Sequence, residues 1–359
     1  MEVFSDLVFV VAVASVGQRW GPAPSVPGLA AGLGLFTVIW WAWLGQSFYD
    51  TRYETDDQQH RLLVLTSMVG AGALTLGART APAGVLFPLG YLVVRGCLLL
   101  MYGRAARSDA SARQVGVVYL PGFGVGWLCW LGSLSAPPQS RPWWWAAGLL
   151  VDLATPWLGR RWLARVPVDN RHLPERMALF TIILLGTSLA TLLDAVPTRP
   201  QAVVCGSLLL AFLVPASIWW VYSQFLTVDV SVERLRGGQT FAYLHGVLAA
   251  ALLLNSWSLG AVISTVAHGT AQVPQIVRVA LGVSIGAWMI TGVALRQTTL
   301  GAGTRSRVVF TGAAVLAITT VTTVVTQPVA LLAAVAALLV SYAHLARRSL
   351  GQAERSRSG

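Results

Sequence analysis

Residues 28–48 read GLAAGLGLFTVIWWAWLGQSF, twenty-one positions without a charged side chain. A helix of about 20 residues spans the roughly 30 Å hydrocarbon core of a bilayer. The stretch has neither the polar stripe of a surface helix nor the alternation of a half-buried strand, so it reads as a membrane span. Equally apolar blocks recur on both sides of it. They predict helices over 3–18, 28–48, 62–78, 83–103, 114–134, 142–159, 177–195, 201–226, 240–267, 274–295, 307–326 and 328–346. The expected fold is therefore all-α, a polytopic helical membrane protein with about twelve transmembrane helices.

Composition agrees with that reading. Of 359 residues 55% are hydrophobic and 11% charged, against about 25% charged in soluble domains. A soluble globule of this length is excluded. The formal charge is +11 and all 25 basic residues are arginine, a balance that would suggest nucleic acid in a soluble chain. Here the arginines sit in short gaps between apolar blocks, where such charges orient a membrane protein. No nucleic-acid partner is expected, and the bilayer itself is the partner. Cys97, Cys129 and Cys205 lie within apolar runs without metal-ligand spacing, so no metal, disulfide or cofactor is expected.

The arginines also predict orientation. Eighteen fall after the even-numbered expected helices or in the tail and four after the odd-numbered ones, while Arg95 and Arg278 lie within spans and Arg307 opens one. By the positive-inside rule both termini are cytoplasmic. No cleavable signal peptide is expected, because the first apolar run begins at once and lacks a basic leader. Met1 could be internal to a longer reading frame. The expected organisation is an N-terminal six-helix half (1–159), a basic cytoplasmic linker (160–176), a C-terminal six-helix half (177–346) and a disordered basic tail (347–359). Glu2 and Glu175 open the two halves, and Trp40-Trp41 and Trp219-Trp220 occupy similar places within them. A parallel 6+6 repeat would explain this, a plan transporters use.

Charges within spans are the candidate functional groups, since hydrocarbon makes them costly. Glu2 and Asp6, four apart on one helical face, and His245 are candidates for an ion or substrate path; Asp6 could equally cap or pair with a neighbouring helix. Arg95 and Asp152, each near mid-span, are expected to form a structural ion pair. Asp56 and His60 lack a third metal ligand, and acids here suit the start of a helix. Pro174 and Glu175 likewise suit a first helical turn. Gly122 to Gly126 lies in an apolar span and is no phosphate loop. No Ser-His, Cys-His or HExxH arrangement is present, so an enzyme is not expected.

Several of these residues carry a resemblance. Glu2-Val3-Phe4-Ser5-Asp6-Leu7-Val8-Phe9-Val10 resembles the opening of the bacterial low temperature requirement A family. His172-Leu173-Pro174-Glu175-Arg176, running on to Gly186, is similar to its second signature, and Trp40-Trp41 with Asp56-Asp57 to a third. The chain departs from the family pattern at Thr187, where that pattern has Glu, and at Tyr222-Ser223-Gln224, where it carries an acid. The resemblance implies a multi-pass bacterial inner-membrane protein linked by name to growth in the cold, without a stated substrate. Phe4-Ser5-Asp6 is also similar to a first-helix motif of certain potassium channels, though the basic residue expected ahead of it is absent. The functional expectation is a secondary transporter or ion-coupled permease for an unknown small solute or ion. A non-transporting scaffold or sensor, or a cation channel, is the alternative.

Overall fold

The computed structural model of the chain describes residues 2–21, 24–53, 57–166, 172–226, 238–300 and 305–355. Among them are thirteen α-helices: α1 (Glu2–Arg19), α2 (Val26–Asp50), α3 (Gln58–Ala78), α4 (Leu86–Ser108), α5 (Ala110–Ser133), α6 (Arg141–Leu158), α7 (Arg160–Leu163), α8 (His172–Asp194), α9 (Ala202–Leu226), α10 (Gln239–Ala267), α11 (Gln275–Leu300), α12 (Arg305–Val324) and α13 (Pro328–Arg355). No strand occurs among the described residues. Ten of the helices are long and apolar enough to cross a membrane; α1 and α6, with 18 residues each, and the four-residue α7 fall outside that set. The chain is a polytopic helical membrane protein. Helices are what such apolar runs must form, because lipid offers no partner for a backbone N–H or C=O and an α-helix satisfies both internally.

Local chemistry marks the helix starts. Asp57 caps α3, its carboxylate accepting from the backbone N–H of His60 at 2.8 Å. Asp109 caps α5 through the N–H of Ala112 at 3.1 Å. Both put negative charge at the positive end of a helix dipole. Helix α8 begins at His172, a turn before the expected 177, with Glu175 in its first turn. Arg176 is consequently a buried helical residue and not a loop charge, which corrects its assignment to the basic linker. Helix α13 runs to Arg355, into the stretch read as a tail.

The chain divides into two compact units, the first Met1–Arg19, Ala30–Phe180 and Ser231–Tyr243, the second Trp20–Leu29, Thr181–Val230 and Leu244–Gly359. In the first, α3 packs on α4, α4 on α5, α5 on α6, and α1 on α3. Small residues permit the closest approach: a Cβ added to Gly90 on α4 would lie 2.6 Å from the carbonyl oxygen of Gly70 on α3. Such contact lets backbones pack by van der Waals attraction where lipid supplies no hydrophobic drive. In the second unit α11 packs on α12, α12 on α13, and α13 on α9. The tryptophan run opening α6 splits by face: Trp143 and Trp144 are exposed, while Trp145 is buried and donates to Ser133 Oγ at 3.0 Å.

Candidate functional site

The first unit contains a chain of buried charged groups on four helices. Asp6 on α1 has no solvent exposure. Its Oδ1 accepts two hydrogen bonds, from Trp43 Nε1 on α2 and from Arg176 Nη2 on α8, both at 2.7 Å. The ionised acceptor makes both bonds short, and the guanidinium adds a second charge to one of them. The same Nη2 reaches Ser47 Oγ at 3.4 Å, and Nη1 of that guanidinium lies 3.6 Å from Asp50 Oδ2. Arg176 therefore stands between two carboxylates, closer to Asp6 than to Asp50.

Helical spacing explains the arrangement on α2. Trp43, Ser47 and Asp50 are four and three residues apart, so one face of the helix presents all three. Asp50 is further held by Gln46 Nε2, which donates to its Oδ1 at 3.0 Å. From α3, His60 Nε2 approaches that oxygen to 3.8 Å, its ring stacked on Tyr49 with 5.9 Å between centroids. Aromatic rings wall the Asp6 end: Phe180 lies 4.2 Å from Trp43 and 5.1 Å from Trp40, centroid to centroid. Two carboxylates thus share one guanidinium and one imidazole. Protonation of His60 would bring these four side chains to neutrality.

Near this chain, outside the spans, Asp57 accepts a two-pronged bond from Arg104, at 2.8 and 2.7 Å. That guanidinium, with the His60 N–H, holds the Asp57 carboxyl down at about 2. Burial pushes the Tyr53 phenol up to about 12.

A second charged centre lies in the same unit. Arg95 Nε on α4 is 3.1 Å from Asp152 Oδ2 on α6 and 3.0 Å from the hydroxyl of Tyr91, which itself donates to Asp152. All three side chains are fully buried. The Arg95 guanidinium lies 4.7 Å from the ring centre of Phe123, 5.4 Å from Tyr91 and 5.6 Å from Trp41, so aromatic faces supply part of the solvation that water would. Glycines make room for both charges: a Cβ on Gly45 would meet Arg95 Nη1, and one on Gly126 would meet Asp152 Oδ1. The direct ion pair suits a structural role, although Arg95 Nη1 and Asp152 Oδ1 are buried with no hydrogen-bond partner among the described residues.

The remaining sequence candidates are distributed differently. His245, 1% exposed, belongs to the second unit, where its Nε2 is 3.3 Å from the Tyr222 hydroxyl. Glu2 opens α1, but its side chain lies outside the described residues, as does all of Asp56. Phe4 is 58% exposed, on the outer face of α1. His172 and Glu175 are exposed and 3.9 Å apart, with Pro174 between them in the first turn of α8. Gly186 faces open space, and the adjacent Thr187 bonds back to the Leu184 carbonyl at 2.7 Å. Sequence reasoning missed Trp43, Gln46, Ser47 and Asp50. Their signal was the shared face of α2, obscured because Asp50 stands at the helix end and reads there as a solvated acid.

Comparison with known proteins covers nearly the whole chain. The family model described as bacterial low temperature requirement A protein (LtrA) matches residues 1–343. An uncharacterized protein of Rhizobium meliloti (strain 1021) is 26% identical over 264 residues, 68% of this chain. The match spans 63% of that protein, less than two thirds of its length. No solved structure matches.

Proposed function

Because this chain belongs to the bacterial low temperature requirement A family, we propose that it is a multi-pass protein of the bacterial cytoplasmic membrane working as a secondary transporter or ion-coupled permease for a small solute or ion. In this reading α1 and α6 also cross the bilayer, giving twelve spans, an arginine-rich cytoplasmic side with both termini, and two six-helix halves in a parallel repeat. No enzymatic activity is assigned.

The observation that carries the reading is Arg176 held between Asp6 at 2.7 Å and Asp50 at 3.6 Å. A guanidinium between two carboxylates can exchange partners with little change in charge separation. Protonating Asp6, or placing a cation against it, weakens its hold on Arg176 and favours Asp50. A helix-borne charge that moves between two partners is a bistable element of the kind coupling requires.

The buried ion pair at Asp6 also suits a non-transporting scaffold or sensor, in which the pair only ties α1 to α8. Proton and potassium flux in proteoliposomes separates the two. Flux in the native chain that is lost in Asp6→Asn, with insertion intact, supports transport. Electrogenic potassium flux without coupling would move the assignment to a cation channel. Equal flux in native and Asp6→Asn protein removes Asp6 from the path.

A further inference from the structure

Within the second unit α13 packs on α9, and an open groove of about 290 Å³ runs between them. Each wall is one helix face. Ala216 and Trp220 stand four residues apart on α9, and Val340, Ala343, His344 and Arg347 follow one another at three, four and seven residues on α13. The walls change character along their length. Ala216, Val340 and Ala343 make one end apolar. At the other end Trp220, 44% exposed, stands with the exposed His344 and Arg347, and the Arg347 guanidinium lies over the indole, 5.8 Å from the ring centre.

The polar end of the groove is also where the apolar spans end, at Gln224 on α9 and at Arg347 on α13. Tryptophan and arginine settle where hydrocarbon meets the headgroup layer. From Val340 to Arg347 the helix rises about 10 Å, more than the roughly 5–7 Å of headgroup layer on each side of a bilayer, so the groove joins that layer to the upper hydrocarbon. The occupant of a lipid-facing groove is lipid, and the charge at its polar end selects which lipid. An arginine that meets a ring through its face keeps N–H groups for phosphate oxygens, and His344 offers a ring N–H one turn away. A zwitterionic head brings its own cation to the same place, whereas an anionic head does not. We propose that the groove between α9 and α13 binds an anionic phospholipid, its phosphate on Arg347 and one acyl chain along Ala216, Val340 and Ala343. This site is separate from the Asp6 centre and does not depend on the transport reading.

The full chain, purified in detergent, is titrated with phosphatidylglycerol and separately with phosphatidylcholine of the same acyl chains, bound lipid being counted by native mass spectrometry. The native chain is expected to bind phosphatidylglycerol saturably and in preference to phosphatidylcholine. Arg347→Gln should weaken phosphatidylglycerol about fivefold, the worth of one arginine near an anionic headgroup, and leave phosphatidylcholine unchanged. Arg347→Lys, which keeps the charge, should retain most of the preference. Arg305→Gln removes the same charge from an exposed site outside the groove and should behave as the native chain. Ala216→Leu supplies an independent variant, since Ala216 lines the groove and a larger side chain there fills the acyl path without altering any charge; it should also weaken phosphatidylglycerol. Equal binding of the two lipids by the native chain overturns the proposal. So does an unchanged preference in folded Arg347→Gln, or an equal loss in Arg305→Gln, which would assign the effect to net charge and not to the groove.

Discussion

Arg176 Nη2 stands 2.7 Å from Asp6 Oδ1 although 170 residues of chain separate them, and both side chains are shielded from solvent. Each charge would be costly to bury alone. Together, with the indole N–H of Trp43 on the same oxygen, they join α1, α2 and the start of α8.

Removing one member of this pair should cost more than removing both. Breaking a buried pair typically costs about 3–5 kcal/mol, because the remaining charge is stranded. Arg176→Met is therefore expected to unfold at lower temperature than native protein in detergent, and Asp6→Asn combined with Arg176→Met should recover part of the loss. A double variant as unstable as the sum of the singles would show that the two side chains do not interact.

The glycines beside the Arg95 and Asp152 pair should resist enlargement. A methyl at Gly45 or Gly126 would meet Arg95 Nη1 or Asp152 Oδ1. Overpacking of this kind costs about 1–3 kcal/mol. Gly45→Ala and Gly126→Ala should each lower thermal stability, while Gly72→Ala on α3, where a Cβ meets nothing within 4 Å, should not. Equal melting of all three would contradict the packing described here.

The Asp57 and Arg104 bridge predicts a response to acid. Asp57 is held at about 2 by Arg104, below the usual value of about 3.9. A carboxyl lowered in the folded state adds stability above its unfolded value and loses it as pH falls through its folded one. The native chain should lose this contribution progressively from about pH 4 to about pH 2. Arg104→Gln should flatten the melting-temperature profile over that window; an unchanged slope would remove the bridge as its cause.

Close approach of α3 and α4 gives a further test. Gly90→Leu would drive a side chain into the carbonyl of Gly70 and into Leu74. It should reduce the yield of folded protein strongly, whereas Gly103→Leu on the same helix, with nothing within 4 Å of its Cβ, should be tolerated. The ratio of monodisperse to aggregated protein on size-exclusion chromatography reads the difference.

Much of the architecture was legible in the residues alone. An apolar run of about 20 residues must satisfy its own backbone, so the stretch 28–48 specifies a helix without reference to any neighbour. The Asp57 cap and the Pro174-Glu175 start of α8 are equally local, each depending on atoms a few residues away. The opening and second signatures, short runs quoted from residues 2–10 and 172–186, carried the family.

The site was only half legible. Asp6 stood out because an acid in a span is anomalous wherever its partner lies. Its partner did not, because Arg176 sits among linker arginines in the sequence and is buried only when α8 starts at His172. Asp50, Gln46 and Ser47 gained meaning only when α2 turned one face toward that guanidinium. The sequence by itself determined which segments are helices and which charges are out of place, since both follow from transfer of single groups out of water. Which charge meets which, and that Arg176 stands between two acids, was decided by the tertiary structure, since Coulomb attraction depends on distances that the fold alone sets.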